Sequence, residues 1–483
     1  MSFKKKSLLA VGWSGLQSWG NQLVNLIVFT VLARLLEPDD WGVMALAMTL
    51  VVLINVFIDQ GLTLAIVQRK VLEAEHLNVA FLLNLFFGSV LTLICFYGAS
   101  FVSDFYSQER LTGIIQWLSG TIILGSLGNI QKAVLQRDLK FKALAIRTLL
   151  SNAVGGIAAV YCAVQGYGVW SLVVQRLVTH GAGTTILWAC SPWRPTLVIS
   201  KRHFDDLFSF GSTILAIKFL EFSNRNADNI LIGYFLGPTA LGYYTIAYRF
   251  FKISRDLLTG ITSPVAVSAF SSIQSDIPRL RKAFYLVTRI TSVVSFPIFI
   301  GIFILAPEIV TTLFGEKWEP SIAVLRVLAL VGLIESVYQF NSNVMIATGN
   351  PMWKLKLVIL SALLNIIGFA ISVHWGIVAV ASAYTIRAYL VSPLPLLVLK
   401  KLISVDIGYY LKNMMGGFVA AIAMAIIVWK FKGVALYLEL NGLTELLFLS
   451  LVGAIAYLIL LLCIDFKIVG ELRNLLGGLR NKR

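Results

Sequence analysis

The sequence predicts an all-α, polytopic membrane protein with about fourteen transmembrane helices. Three observations predict this fold class: the composition, the spacing of the apolar segments and an internal repeat. Of the 483 residues, 58% are hydrophobic and only 13% are charged. A soluble globular domain does not need that much apolar surface, so most helices are expected to lie in a bilayer.

Apolar segments of roughly twenty residues, the length that a helix needs to cross a bilayer, occur fourteen times. They lie near residues 11–35, 41–65, 77–98, 113–133, 143–164, 168–190, 207–233, 240–265, 283–305, 321–346, 354–374, 376–399, 409–430 and 443–464. The segments at 207–233 and 240–265 are the least hydrophobic. Because fourteen is an even number, both ends of the chain are expected on the same side of the membrane.

The basic residues are distributed unevenly between the two sides of this topology. The loops and ends on the N-terminal side hold twenty-five Lys and Arg residues, whereas the other side holds five. Cytoplasmic loops carry such an excess, so both termini are predicted to be cytoplasmic. The formal net charge of +16 follows largely from this topology. No nucleic-acid partner is therefore expected.

The two ends of the chain have distinct patterns. Lys4, Lys5 and Lys6 precede an apolar run, as in a signal peptide, but no small-residue cleavage site follows. We therefore expect an uncleaved first span. After the last span, apolar residues such as Ile468 and Leu472 recur on one helix face among basic residues. This pattern predicts an amphipathic basic helix over 466–483 on the cytoplasmic leaflet.

An internal repeat relates the two halves of the chain. The residues Leu36, Pro38, Gly42 and Ala47 recur 200 positions later, as listed here: Leu236, Pro238, Gly242 and Ala247. Proline and glycine in register within matching apolar surroundings indicate a duplication. The repeat predicts an N-lobe of six spans (1–200), a C-lobe of six spans in the same orientation (201–402), and two additional spans (403–465).

Charged residues are concentrated within the seventh and eighth spans. Lys218, Glu221, Arg225 and Asp228 share one helix face, because their spacings are 3, 4 and 3. Two interpretations are open: a water-filled, mostly cationic cavity between the lobes, or polar contacts between helices in which these charges neutralise one another. Polar residues within spans of both lobes favour the cavity. The predicted lining residues are Arg147, Arg176, Lys218, Arg225, Arg249, Lys252, Asn21 and Asn25.

Carboxylates at depth are candidate sites for a coupling ion. Asp59, Glu221 and Asp228 fulfil this condition, and a proton or Na⁺ would need such a group. For Glu221 and Asp228, an ion pair with Arg225 is the alternative.

Sites for catalysis, metals or disulfides are not predicted. The sequence lacks the GxSxG, HExxH and P-loop motifs. The four cysteines lie far apart in apolar runs and are predicted to be unpaired core residues. They are Cys95, Cys162, Cys190 and Cys463.

Four stretches of the chain resemble the Wzx-type polysaccharide exporters. They are VLARLLEPDDWGVMALA (31–47), NADNILIGYFLGPTALGYYTIAYRF (226–250), LFGEKWEPSIAVLRVLALVGLIES (313–336) and MIATGNP (345–351). The chain resembles the colanic acid exporter group, and also the teichuronic acid exporters, of the multidrug/oligosaccharidyl-lipid/polysaccharide exporter superfamily, over about residues 1–400.

The resemblance implies a flippase, not an enzyme, of the bacterial cytoplasmic membrane. Its substrate would be an undecaprenyl-diphosphate-linked, anionic oligosaccharide repeat unit, moved by alternating access for exopolysaccharide biosynthesis. The implied partners are this lipid, the bilayer, a polysaccharide polymerase and a chain-length regulator. No cofactor is implied beyond H⁺ or Na⁺ coupling. Two alternatives stay open: a drug exporter of the same superfamily, which would need an acidic cavity, and a membrane-embedded polysaccharide transferase.

Overall fold

The structure is a computed structural model that describes residues 20–58, 66, 72–196, 211–259, 266 and 269–464. The side chains of residues 74, 211–217 and 259 are not described. All of the regular structure within these ranges is helical, without a β-strand. The predicted all-α class is therefore confirmed.

Each of the fourteen predicted spans corresponds to a helix. In chain order the helices are α1 (Gly20–Leu35), α2 (Pro38–Ile58), α3 (Ala74–Phe105), α4 (Arg110–Arg137), α5 (Phe141–Val164), α6 (Trp170–Cys190), α7 (Gly211–Phe235), α8 (Gly237–Thr259), α9 (Ile277–Ile304), α10 (Ser321–Ala347), α11 (Pro351–Ser372), α12 (Ile377–Ile403), α13 (Ile407–Tyr437) and α14 (Leu443–Ile464). α12 consists of two consecutive segments that meet at Ser392, and a short helix, Ala306–Leu313, follows α9.

Ten of these helices are long and apolar enough to cross a membrane. The other four are α1, of which only 16 residues are described, and α6, α7 and α8. These last three have 21, 25 and 23 residues, so their composition and not their length sets them apart. α7 and α8 are the two helices that the sequence marks as least hydrophobic. Polar residues of α7 line the candidate site that is described below.

Helix ends are fixed by ordinary capping chemistry. The Asp276 side chain accepts a hydrogen bond from the Arg279 amide at the start of α9, and Asp406 does the same for Tyr409 at the start of α13. These bonds satisfy amides that the first helical turn leaves unpaired. Gly376, at φ 94°, ends the turn before α12 in a conformation that favours glycine.

The loops alternate between two ends, as a serpentine topology requires. Arg110, which follows α3, forms ion pairs of 2.7 Å with Asp39 and 2.8 Å with Asp40, which follow α1. At the opposite end, Arg137 donates a hydrogen bond of 2.7 Å to the carbonyl of Ile66. The connection between α3 and α4 thus contacts the one between α1 and α2, and the end of α4 contacts the connection between α2 and α3.

The chain packs into two compact units. The first unit comprises Met1–Ile246 and Ala362–Ile377, and the second comprises Ala247–Ser361 and Val378–Arg483. The predicted boundary between the lobes at residues 200 and 201 lies outside the described residues and stays a prediction.

The first unit contains a contact that reflects the repeat. A Cβ atom built on Gly42 would lie 1.7 Å from the Pro238 carbonyl oxygen, and one built on Gly242 would lie 1.9 Å from the Pro38 carbonyl oxygen. Each of these contacts becomes the other when 200 is added to or subtracted from the residue numbers. Such reciprocity is expected when two copies of one hairpin meet about a pseudo-two-fold axis. The contact therefore supports the duplication.

In the second unit, α13 and α14 pack on α9. Tyr457 on α14 donates a buried hydrogen bond of 2.7 Å to the carbonyl of Val293 on α9. Lys432, at the end of α13, forms an ion pair of 2.6 Å with Glu308 of the short helix and donates to the carbonyl of Ile304. The two helices beyond the repeat are thus held to α9 at mid-length and at one end.

The four cysteines are unpaired, as predicted, but their burial differs. Cys95 is buried and Cys162 is half-buried, whereas Cys190 and Cys463 are exposed. The prediction that all four are core residues is therefore wrong for Cys190 and Cys463. In a membrane protein, apolar runs contact lipid as well as protein, so an apolar neighbourhood in sequence does not indicate burial.

Candidate functional site

A polar cavity lies in the first unit between α2, α4 and α7. Its volume is about 410 Å³. The lining residues are Val52, Asn55, Val56 and Ile58 from α2, Asn129 and Lys132 from α4, and Lys218, Glu221, Phe222, Arg225 and Asn226 from α7. We refer to it as the α2–α4–α7 cavity. Three charged residues on α7 reach it because their spacings of 3 and 4 place them on one helix face.

Hydrogen bonds orient the asparagines that line this cavity. The Asn55 amide donates to the carbonyl of Val51 at 2.8 Å, and the Asn226 amide donates to the carbonyl of Phe222 at 3.0 Å. Asn129 donates to Asn84, whose side chain is fully buried, at 3.5 Å. These side chains are held to their own helices or to a neighbouring helix, so the polar wall has a defined geometry.

The α2–α4–α7 cavity carries an excess of positive charge. Lys132, Lys218 and Arg225 contribute three positive charges and Glu221 contributes one negative charge, which gives a formal charge of +2. Among the residues that the structure describes, no ion pair involves Glu221 or Arg225. The described residues therefore do not show the alternative arrangement, in which Glu221 and Arg225 would form an ion pair.

Asp228 has a different environment from the rest of the charged face. It is buried, accepts a hydrogen bond of 2.8 Å from the Tyr244 hydroxyl, and accepts another from the Asn229 amide. It does not line the α2–α4–α7 cavity. The face predicted from spacing thus divides: Lys218, Glu221 and Arg225 line the cavity, and Asp228 connects α7 to α8.

A second polar cluster joins α1, α5 and α6 in the same unit. The Asn152 amide donates to Asn21, and Arg147 donates a hydrogen bond of 3.4 Å to the carbonyl of Gly183. Arg176 and His180 are four residues apart on α6, so they lie on one helix face. Asn25 lies on α1, one turn beyond Asn21, and is half-buried. None of the five predicted or neighbouring residues Arg147, Arg176, His180, Asn21 and Asn25 lines the α2–α4–α7 cavity.

Arg249 and Lys252 belong to the second unit. Arg249 is half-buried, and Lys252 is exposed and forms an ion pair of 3.0 Å with Asp256. Next to this pair, Arg255 forms ion pairs of 3.1 Å with Asp256 and 2.7 Å with Glu335. In this unit, therefore, carboxylates compensate Lys252 and Arg255.

The network around Arg255 extends to α12. Tyr384 donates a hydrogen bond of 2.5 Å to the second oxygen of Glu335, and the Arg387 guanidinium lies 4.6 Å from the centre of the Tyr384 ring. The prediction did not include Arg255, Glu335 or Tyr384 among the site residues. The signal available for Glu335 was its place on a polar helix face with Gln339 and Asn343.

Two residues that line the α2–α4–α7 cavity, Lys132 and Asn129, are not among the residues predicted from the sequence. The charge count places Lys132 with the basic residues of the cytoplasmic side, but its spacing of three from Asn129 puts both on one face of α4. Asn55 carried a signal, because it is a polar residue within an apolar span. Asp59, the third candidate for ion coupling, lies outside the described residues. Among the described residues, no cluster of His, Cys, Asp and Glu has a geometry that would hold a metal ion.

Comparisons with known proteins agree with this architecture. The family described as "Polysaccharide biosynthesis protein" matches residues 31–323, more than half of the chain. The teichuronic acid biosynthesis protein TuaB of Bacillus subtilis is 25% identical over 95% of this chain and 96% of its own length. The lipopolysaccharide biosynthesis protein WzxC of Escherichia coli is 26% identical over 70% of this chain and 69% of its own length.

The fold also matches a solved structure. The structure titled lipid II flippase MurJ, inward closed conformation, superposes with a TM-score of 0.77 at 14% sequence identity, and covers 94% of this chain and 99% of that chain. At that identity the likeness concerns the fold alone. The resemblance to Wzx-type exporters predicted from the sequence is confirmed by these matches. The chain belongs to the polysaccharide biosynthesis protein family of multi-pass membrane proteins.

Proposed function

We propose that the protein is a flippase that moves an undecaprenyl-diphosphate-linked oligosaccharide repeat unit across the bacterial cytoplasmic membrane by alternating access. The observation that carries this proposal is the α2–α4–α7 cavity, in which cations outnumber carboxylates among membrane-spanning helices. Family membership supports it, because the named relatives take part in teichuronic acid and lipopolysaccharide biosynthesis. The fold supports it too, since MurJ is named a lipid II flippase.

The charge of the cavity suits a diphosphate headgroup. A diphosphate that links a lipid to a sugar carries two negative charges, equal in size to the formal charge of +2 in the cavity. Ion pairs gain strength when apolar walls such as Val52, Val56 and Phe222 exclude water. Arg225 offers two parallel hydrogen bonds to phosphate oxygens, whereas Lys132 and Lys218 act as point charges. The asparagines and Glu221 add hydrogen-bonding groups for sugar hydroxyls.

Ion coupling is part of the proposal. Glu221 lines the cavity, and Asp228 lies on the same helix with a hydroxyl partner instead of a cation. Either carboxylate, or Asp59, would provide a site for H⁺ or Na⁺. The cytoplasmic position of both termini and the participation of a polymerase and a chain-length regulator belong to the proposal as well.

The competing functions make different demands on the cavity. A drug exporter that carries cationic compounds would need an acidic cavity, whereas the α2–α4–α7 cavity is net positive. A transferase would change the substrate chemically.

Reconstitution separates these functions. The purified protein would be placed in liposomes that contain a labelled undecaprenyl-diphosphate oligosaccharide. Movement of the label between leaflets without a change in its mass supports the flippase. Transfer of sugar to a second lipid supports the transferase. Failure of the lipid to move, together with export of cationic dyes, contradicts the proposal and supports the drug exporter.

A further inference from the structure

The contact between the two repeated hairpins in the first unit is unusually close. The backbone of α2 at Gly42 touches the carbonyl of Pro238, and the backbone of α8 at Gly242 touches the carbonyl of Pro38. A Cβ atom at either glycine would come within 2 Å of a carbonyl oxygen, a separation that no side chain tolerates. The carbonyls are backbone atoms, so they cannot yield as a flexible side chain would. The contact in this form therefore depends on glycine at both positions.

Polar side chains surround this contact. Arg110, at the start of α4, holds Asp39 and Asp40 together, and the Thr239 hydroxyl donates a hydrogen bond of 3.3 Å to Asp39. Asp39 and Thr239 are equivalent positions of the repeat. Both ion pairs of Arg110 are to the first hairpin, so they do not tie the two hairpins together. Close packing of the two backbones, and not ion pairing, therefore holds the two hairpins together at this contact.

The contact and the α2–α4–α7 cavity share α2, and α8, which makes the contact, follows α7 directly. Along α2, Asn55 comes thirteen residues after Gly42, which is about 20 Å at 1.5 Å per residue. Along α7, Arg225 comes ten residues before the last residue of the helix, about 15 Å. Between these levels, Leu46 packs against Gly233. α2 thus touches the start of α8 and the last turn of α7 near one end, and lines a charged cavity with α7 towards the other end.

We infer that the reciprocal glycine contact is the outer gate of the cavity, and that Gly42 and Gly242 determine whether it closes. This inference rests on the proposed function, since a gate matters only where a cavity must open to each side in turn. Closure of the gate leaves the cavity facing the end where Lys132 and Lys218 lie. Opening requires that the two hairpins separate and that the hydrogen bond from Thr239 to Asp39 break.

The first test measures access to the cavity and needs no transport. In a chain without native cysteines, Asn226→Cys reports whether a membrane-impermeant maleimide added to intact cells reaches the cavity. Gly42→Leu or Gly242→Leu prevents closure, so the population with an open outer end increases. We expect labelling of the cysteine at 226 to rise by about tenfold or more. Unchanged labelling at normal protein abundance would overturn the inference.

Gly98→Leu is the matched control for these variants. Gly98 also lies within a membrane-spanning helix, but a Cβ atom there meets nothing within 4 Å. The same change should therefore leave labelling at its original level. An equal rise in the Gly98 variant would show that labelling reports general loosening and not a gate, and would contradict the inference.

A covalent lock covers the case in which the leucine variants fail to fold. Asp39→Cys with Thr239→Cys places two thiols where the native side chains are 3.3 Å apart. Oxidation should join them, abolish movement of lipid-linked oligosaccharide in liposomes, and be reversed by reductant. Continued movement by the cross-linked protein, or failure of the cross-link to form, would overturn the gate. Two proteins without the cross-link serve as controls: the reduced double variant and the protein that keeps Asp39 and Thr239. If neither moves lipid, the proposed flippase function is contradicted. The labelling test then still decides whether the contact is a gate.

Discussion

At the scale of single residues, neighbouring charges on one helix have different roles. Arg225 lines a cavity and makes no ion pair among the described residues, whereas Asp228, one turn further along α7, is buried against Tyr244. Spacing alone assigns both to one face. The difference arises because α8 supplies a hydroxyl group beside Asp228 and the cavity lies beside Arg225. Their substitutions should therefore differ in kind.

Arg225→Ala should reduce polymer export by about tenfold or more, a loss of about 1.4 kcal/mol or more of substrate stabilisation, at unchanged abundance in the membrane. Arg225→Lys should retain part of the activity, since it keeps the charge but loses the bidentate geometry. The measurement is exported polymer per amount of protein. Lys430→Ala is the control, because Lys430 is exposed at the far end of α13. Normal export by the Ala variants of Lys132, Lys218 and Arg225 would contradict substrate binding in the α2–α4–α7 cavity.

Glu221→Gln should abolish the stimulation of lipid movement by an imposed H⁺ or Na⁺ gradient, since among the described lining residues Glu221 is the one carboxylate. The assay is the rate of movement in liposomes with and without the gradient. Asp228→Asn serves as the comparison, because an amide oxygen still accepts the Tyr244 hydrogen bond. A gradient response that survives Glu221→Gln, Asp228→Asn and Asp59→Asn in turn would rule out coupling through any one of these carboxylates alone.

Asp228→Ala should lower the free energy of unfolding by about 1–3 kcal/mol, since it removes a buried hydrogen bond between α7 and α8. Tyr244 is 0% exposed and Asp228 is 5% exposed, so the bond lies away from water. Thermal unfolding in detergent measures the effect. Combining Asp228→Ala with Tyr244→Phe should be less destabilising than the sum of the two single changes. A strictly additive result would mean that the hydrogen bond does not couple them.

At the scale of helices, composition separates two tasks. The most apolar stretch of α14 is only 22% buried within the protein, so most of its surface is available to lipid. α7 is less apolar, and its polar residues line the α2–α4–α7 cavity. α13 and α14 lie outside the repeat, and they are held to α9 by few but specific contacts.

Tyr457→Phe should destabilise the packing of α14 on α9 by about 1 kcal/mol, because the Val293 carbonyl loses a buried hydrogen bond. Tyr437→Phe is the control, since Tyr437 is 86% exposed. Thermal unfolding of the two variants in the same detergent makes the comparison. Equal stabilities would show that apolar contact alone holds α14 in place.

At the scale of the whole molecule, the topology is predicted from the number of spans and from the side on which the basic residues lie. An even number of spans places both ends of the chain on one side, and the distribution of Lys and Arg predicts which side that is. Cysteines placed at Ser107 and Glu316 should react with an impermeant reagent on intact cells, and cysteines at Lys201 and Lys401 should not. All four positions lie in predicted connections between spans. Reaction at 201 from outside would refute the fourteen-span topology.

The sequence by itself determined the all-α membrane class and the family. These properties follow from local features: an apolar run of twenty residues is a span wherever it lies, and motif residues are read in order along the chain. The repeat was also local information, because Pro38 and Gly42 match Pro238 and Gly242 at one constant offset. The candidate status of Lys218, Glu221 and Arg225 followed in the same way from helical spacing.

Only the tertiary structure decided which polar residues share a space. Lys132 and Asn129 join the cavity because α4 packs beside α2, and Asp228 leaves it because Tyr244 lies within hydrogen-bonding distance. The exposure of Cys190 and Cys463 likewise depends on which helix faces have neighbours. Spacing fixes the direction of a side chain about its own helix axis, but not what stands opposite it. Partners come from residues tens to hundreds of positions away, and the packing of the folded chain alone brings them together.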